Sequence, residues 1–330
     1  MSDTFRALRI HQANDQTEPR LEQITMDDLD QGDVLIRVAY SGINYKDALA
    51  VTGAGRIMRE FPKVAGIDLA GAVVESTDAR FAPGDAVVVT GCGLGEDHDG
   101  GYAEYARVPA EWVTSLPAAL DARAAMTLGT AGFTAALAVH RMEQNGQQPA
   151  LGPVLVTGAT GGVGSLAVDM LSGLGYQVSA LTGKPDQADY LAGLGATEIL
   201  NRHDLELGSR PLEKGRWGGA IDSLGGEFLA WLTRTTNPWG NIASVGLAAS
   251  PKLATTVMPF ILRGVSLLGI NSVHMPRELR LTVWDRLASD LKPRHLESIG
   301  TRELGLAELT GAVGGYLEGS VTGRTVVRVG

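Results

Sequence analysis

Val154-Leu155-Val156-Thr157-Gly158-Ala159-Thr160-Gly161-Gly162-Val163-Gly164 decides how the second half of the chain folds. Val154-Leu155-Val156 is apolar enough for a short buried strand, and a glycine-rich turn follows it. Beyond the turn, Val163, Leu166, Ala167, Met170, Leu171 and Leu174 recur at i, i+3, i+4, i+7, i+8 and i+11, which is one face of a helix. A strand, a tight glycine turn and a helix N-terminus are the parts needed to hold a dinucleotide pyrophosphate. Glycines let the backbone approach the phosphates, and free amides with the helix dipole favour their negative charge. Ala159 replaces the first glycine of the strict G-x-G-x-x-G pattern. A glycine run alone also describes a flexible loop; the flanking strand and helical face point to the cofactor site.

Working downstream, Val178 to Leu181 reads as a second strand, and Gln187 to Leu194 as a helix stopped by Gly195. Ile199-Leu200, Ala220-Ile221, Ile242 to Val245 and Val265 to Ile270 supply later strands. Strands alternating with helices predict a doubly wound parallel sheet of the Rossmann type, in an α/β protein. Upstream the pattern differs. Asp33 to Tyr40, Leu69 to Val74 and Ala86 to Thr90 are short β-rich runs, with a turn at Pro83-Gly84-Asp85. They predict a compact, partly closed β domain. Residues 121–142 carry alanine, leucine and methionine at helical density, and Leu306 to Leu317 reads as a further helix. Gly323 to Val329 is a last strand expected to return to the first domain. The expected domains are therefore residues 1–125 with 301–330, and residues 126–300.

At the end of the second strand, NAD sites place Asp or Glu, about 20 residues past the turn, on the ribose hydroxyls. That position here reads Leu181-Thr182-Gly183-Lys184. With no acid present, Lys184 is placed to meet a 2′-phosphate, with Thr182 and the Gly183 amide adding hydrogen bonds. Arg202, after the third strand, is a second phosphate partner. The expected cofactor is NADPH. Lys184 and Arg202 would otherwise be solvated surface cations.

The bulk composition excludes other classes. The 330 residues include 43 glycines, 44% are hydrophobic and 20% charged, and the net charge is −9. An acidic balance without a basic stripe argues against nucleic acid or an anionic membrane as partner. The single cysteine, Cys92, allows no intrachain disulfide and no thiolate-rich metal site, which points to the cytoplasm. The N-terminal residues lack an apolar signal core, and no uninterrupted apolar run approaches the ~20 residues of a membrane span. Dehydrogenases of this layout often hold a catalytic zinc. The places for its ligands read Gly42-Ile43-Asn44-Tyr45-Lys46-Asp47 and Gly66-Ile67-Asp68. His98, between Asp97 and Asp99, reads as a surface-loop histidine. No metal is expected. Without that Lewis acid, hydride addition to an activated C=C bond is favoured over carbonyl reduction, because the substrate's own carbonyl delocalises the charge.

Gly42 to Gly53 (GINYKDALAVTG), Gly66 to Gly71 (GIDLAG), Leu128 to Ala135 (LGTAGFTA), Val156 to Gly164 (VTGATGGVG) and Thr256 to Arg263 (TVMPFILR) carry a more specific likeness. Through them nearly the whole chain resembles the zinc-independent branch of the medium-chain dehydrogenase/reductase superfamily, and within it the YhdH/AcuI group of acrylyl-CoA reductases. The resemblance implies a GroES-like catalytic domain beside the Rossmann domain, a homodimer, and NADPH-dependent reduction of acryloyl-CoA to propanoyl-CoA. It also implies cofactor contacts from Tyr45, Thr160, Gly161, Gly162, Val163, Thr182, Gly183, Lys184, Arg202, Leu247 and Asn271, with Arg324 reaching the cofactor cleft.

For the chemistry, Asn44 and Tyr45 are the candidates to orient nicotinamide and substrate, Tyr45 also as proton donor, with Asp68 a further cleft residue. Asn44 and Asp68 equally suit local turn capping. Arg56, Arg59 and Lys63 are candidates for the phosphates of an acyl-CoA, or else a solvated loop. Two rival readings are a zinc-free quinone or enone reductase, and a non-catalytic NADPH- or RNA-binding protein.

Overall fold

The computed structural model describes residues 4–14 and 16–330, which divide into two compact units. One unit runs up to Thr130 and adds Val273–Trp284 and Leu296–Gly330; the other comprises Ala131–Ser272 and Asp285–His295. Residues 126–130, 273–284 and 296–300, grouped with the second domain from the sequence, thus pack with the first unit.

The second unit is built on six parallel strands in the order Glu198–Asn201, Val178–Thr182, Val154–Thr157, Trp217–Asp222, Thr236–Ser244 and Ser266–Gly269. In chain order this is 3-2-1-4-5-6, the Rossmann arrangement, with its direction of winding reversed beside Val154–Thr157. Every residue of the three central strands is buried, which is why they read as continuous apolar runs and not as alternating ones. Burying each Val or Leu of this kind contributes roughly 1.5–3 kcal/mol. The helix after the glycine turn is Gly162–Gly173, with Gly164 to Leu171 buried without a break. Its solvated side is therefore narrower than the periodic face predicted.

In the first unit a seven-stranded sheet orders Arg302–Gly305, Thr325–Arg328, Val34–Gly42, Asp68–Ser76, Ala86–Thr90 and Thr114–Ser115, with Tyr105–Val108 also on Val34–Gly42. The strand near the C-terminus joins this sheet as expected, antiparallel to Val34–Gly42. A second sheet has three strands, Gln16–Ile24, Phe5–Ala13 and Lys63–Val64. The core behind the large sheet gathers Leu8, Ile36, Val38, Leu69, Val87 and Val327. The expected helix over 306–317 is divided into a 3-10 turn and two four-residue helices, Leu309–Ala312 and Gly314–Leu317.

The helical segment Ala122–Gln144 is broken at Gly129, whose φ of 50° and ψ of −158° leave the helical region. By length and hydropathy it is long and apolar enough to cross a membrane, but 78% of its most apolar window is buried in the protein.

Candidate functional site

In the first unit, strand Val34–Gly42 hands the chain to Ile43 and Asn44, and helix Tyr45–Thr52 begins. Asn44 caps that helix. Asp47 Oδ2 accepts from the Asn44 main-chain amide at 2.8 Å and from its side-chain amide at 3.1 Å. The same Nδ2 donates to Asp68 Oδ2 at 2.7 Å. Asp68, at the start of strand Asp68–Ser76, also accepts from Thr130 N at 2.8 Å and from Thr130 Oγ1 at 2.5 Å. Arg324 closes the cluster. It donates to Ile43 O at 2.8 Å, Asn44 Oδ1 at 3.1 Å and Thr127 O at 3.0 Å, with Nη2 4.0 Å from Asp68. A Cβ on Gly129 would stand 2.6 Å from Asp68 Oδ2 and 2.7 Å from Arg324 Nη2. The break in the helix therefore needs glycine for space as well as for its positive φ.

Two carboxylates and one guanidinium buried together leave an excess of negative charge. Burial, with Asp68 nearby, pushes the Asp47 carboxyl up to about 7. Burial, with Asp47 beside it, also raises the Tyr102 phenol well above its ordinary value, and that hydroxyl donates to Gly42 O at 3.1 Å.

The candidate catalytic residues thus differ in their surroundings. Tyr45 is 46% exposed at the first position of its helix. Asn44 and Asp68 are buried, with their polar atoms engaged by protein groups. Arg324, expected to reach the cofactor, is 1% exposed, and its guanidinium holds the backbone of residues 43 and 127. Lys63 is corrected from a cleft cation to a buried partner of Asp30 at 2.8 Å. Arg56 and Arg59 are exposed in the segment after the helix. His98 lies in a loop as expected and is half-buried there. Its ring nitrogens stand 3.0 Å from Gln31 O and 3.2 Å from Asp99 O, and the ring meets Trp112 edge-on.

The sequence reading missed Asp47 and Thr130 as members of this cluster. Asn44-x-x-Asp47 carries the spacing of a capping box, the one signal that could have found Asp47.

In the second unit the turn follows strand Val154–Thr157. A Cβ on Gly164 would lie 2.3 Å from Gly158 O, so only glycine lets the helix seat this close to the turn. Gly161 caps that helix, and Gly162 and Val163 open it, half-buried. Thr160 is buried, with Oγ1 3.4 Å from Thr182 Oγ1, and Thr182 Oγ1 accepts from Lys184 N at 3.0 Å. Thr157 Oγ1 donates to buried Asp222 at 2.7 Å and accepts from Ser223 N at 2.9 Å. This pair ties together the carboxyl ends of the two strands at the reversal of winding, where dinucleotides bind in such sheets. Burial raises the Asp222 carboxyl above its ordinary range. Lys184 is half-buried, and that burial lowers its ammonium pKa. Arg202, exposed, lies against Gly183. Leu247 and Asn271 are exposed beyond the carboxyl ends of Thr236–Ser244 and Ser266–Gly269. The turn, the two hydroxyls and the paired cations suit an anionic dinucleotide with a further phosphate on its ribose.

Residues 30–118 match the model of the alcohol dehydrogenase GroES-like domain, and residues 162–289 that of the zinc-binding dehydrogenase. Over 330 residues and the whole of both chains, 50% are identical to YhfP of Bacillus subtilis, named provisionally a quinone oxidoreductase. The chain belongs to the medium-chain dehydrogenase/reductase superfamily. Within it, the chain is similar to the acrylyl-CoA reductase AcuI of Ruegeria pomeroyi, 48% identical over 95% of each chain. The crystal structure of YhdH from Salmonella enterica in complex with NADP is matched with TM-score 0.95 at 46% identity, covering 98% of this chain and 100% of that one. The structure of YhfP with NAD bound gives 0.96 at 49% identity, over 99% and 100%.

The zinc named by the second family model does not suit this chain. Zinc sites take several Cys, His or carboxylate ligands around one point. Among the described residues no three His, Cys, Asp or Glu side chains form such a group. Asp47 and Asp68 are instead held by amides, a hydroxyl and a guanidinium.

Proposed function

We propose that the chain reduces the C=C bond of acryloyl-CoA to propanoyl-CoA with NADPH. The observation that carries this reading is the 48% identity, along 95% of the chain, with a relative named for that activity. The absence of an acid after Thr182, with Lys184 and Arg202 in its place, supports NADPH over NADH. The NADP in the YhdH structure agrees with it, and the NAD in the YhfP structure makes the preference worth measuring.

Bound at the glycine turn, NADPH supplies a hydride to the β-carbon of the enoyl thioester. Negative charge then develops on the thioester oxygen and is stabilised by a donor fixed in advance. The Tyr45 phenol, exposed at a helix N-terminus, is the donor we assign, either directly to that oxygen or as the proton source for the α-carbon. Asn44 and Asp68 act behind it. The Asn44 amide donates to two carboxylates and accepts from Arg324, so its work is to hold the start of the helix and not to touch substrate. Arg56 and Arg59 are assigned to the phosphates of coenzyme A.

The proposed homodimer is supported by an apolar surface of the second unit. Val257, Met258, Ile261 and Leu262, in and beside helix Met258–Arg263, are exposed. Trp239 lies over Gly264 at the end of that helix and is 74% exposed. The outermost strand of the sheet, Ser266–Gly269, follows directly. Contiguous apolar surface beside an open sheet edge is a place where a second copy is bound.

The name of YhfP favours a second reading, reduction of a quinone. Values of kcat/KM for acryloyl-CoA, a free enone and a quinone separate the two. We expect acryloyl-CoA to exceed both others by at least about a hundredfold, since only it brings the remote binding energy of coenzyme A. A quinone that matched it would replace the proposal. No NADPH oxidation with any of the three would favour a non-catalytic binding protein.

A further inference from the structure

Lys46 stands between Tyr45 and the capping carboxylate of Asp47, in the first turn of helix Tyr45–Thr52. A cation there opposes the helix dipole, which favours anions at that end. Its compensation comes from far along the chain. Lys46 Nζ lies 2.9 Å from Glu96 Oε1, and the two side chains are 32% and 18% exposed.

Glu96 belongs to the run of turns that follows strand Ala86–Thr90. The backbone of this run holds itself. Leu94 N donates to Gly91 O at 3.0 Å, Gly95 N to His98 O at 2.8 Å and Glu96 N to Gly93 O at 3.1 Å. Gly95 has a φ of 67°, and a Cβ on it would stand 2.6 Å from Gly66 O. Only glycine lets the run sit this close to the chain leading into Asp68. Ile67 then joins the run to the helix. Its carbonyl accepts from Gly91 N at 3.0 Å, and its amide donates to Asp47 Oδ1 at 2.9 Å. The run and the first helical turn are therefore tied at two points, Ile67 and the Lys46–Glu96 pair. Residues 44, 46 and 47 are all held by distant parts of the chain, while Tyr45 among them keeps its side chain exposed.

We propose that Glu96, acting through Lys46, is a positioning residue for Tyr45: the ion pair fixes the first helical turn, and so the place of the phenol. This rests on the assignment of Tyr45 as the donor. An ion pair with this much exposure adds little to stability. A donor moved slightly from its place loses much of its effect on rate. Glu96 should therefore matter for turnover far more than for folding.

Glu96→Ala, Glu96→Gln and Lys46→Met are compared with the natural protein, and Glu96→Ala is repeated on Tyr45→Phe. Measured for each are kcat and KM with acryloyl-CoA, the Kd of NADPH, and Tm. Glu96→Ala and Lys46→Met should lower kcat between about ten- and a hundredfold, with KM, Kd and Tm close to natural. Glu96→Gln should recover part of the loss, because its amide oxygen still accepts from Lys46. On Tyr45→Phe, Glu96→Ala should lower kcat further by no more than about twofold, since the phenol it positions is gone. The same loss in both backgrounds, or a loss confined to KM, would overturn the inference and leave the donor assignment standing. A Tyr45→Phe variant with natural kcat would overturn that assignment, and the inference with it.

Discussion

Asp47 shows what a single residue must satisfy in this fold. Its carboxylate accepts from Asn44 twice and from Ile67 N at 2.9 Å, entirely out of water. Asp68, Tyr102, Tyr316 and Arg324 are the titratable or charged groups around it. Burial, then Asp68, raises its pKa from 3.8 to about 7. A raised acid binds its proton more tightly folded than unfolded. Its contribution is therefore most favourable below pH 4 and is lost as pH climbs to about 7. The difference in unfolding free energy between the natural protein and Asp47→Asn should shrink over that range, by on the order of a few kcal/mol. Denaturant titrations at intervals from pH 4 to 8 measure it, and a constant difference would show that Asp47 does not titrate there. Neither this nor the positioning role of Arg324 was legible in the sequence. Gly-Arg-Thr near the C-terminus says nothing of the distant carbonyls the guanidinium meets. The glycine turn and Leu181 to Lys184 were legible because their chemistry is local.

Among the elements, helix Met258–Arg263 departs most from the usual pattern, since it turns Ile261 (72% exposed) and Leu262 outward. If a second copy covers this surface, Ile261→Asp should convert a dimer to a monomer in light scattering, with little loss of fold because the side chain is already exposed. A natural protein that is monomeric at micromolar concentration would contradict the proposed dimer. Other elements show where periodicity fails as a guide. Phe5–Ala13 and Gln16–Ile24 pair over their full lengths, yet the second is largely polar and solvated, so no apolar alternation marks it. Lys63–Val64 and Thr114–Ser115 are too short to carry a pattern. The break at Gly129 hides within an otherwise helical composition, because its cause is the space required by Asp68 and Arg324.

For the whole molecule, the parallel sheet could be read almost strand by strand, since buried βαβ units leave apolar runs that local sequence records. The division between units could be read only in part. The return of residues 301–330 to the first domain was expected, but Val273–Trp284 also belong with that unit, whose strands come mostly from the first 130 residues, a matter of packing across the chain. The proposed reaction is tested most directly by following one atom through it. Reduction of acryloyl-CoA with NADPH carrying deuterium at the transferred position, followed by mass spectrometry and NMR of the product, is that test. The expected product is propanoyl-CoA with one deuterium, on the β-carbon, and an α-hydrogen drawn from solvent. Failure to form propanoyl-CoA, or deuterium on the α-carbon, would contradict it.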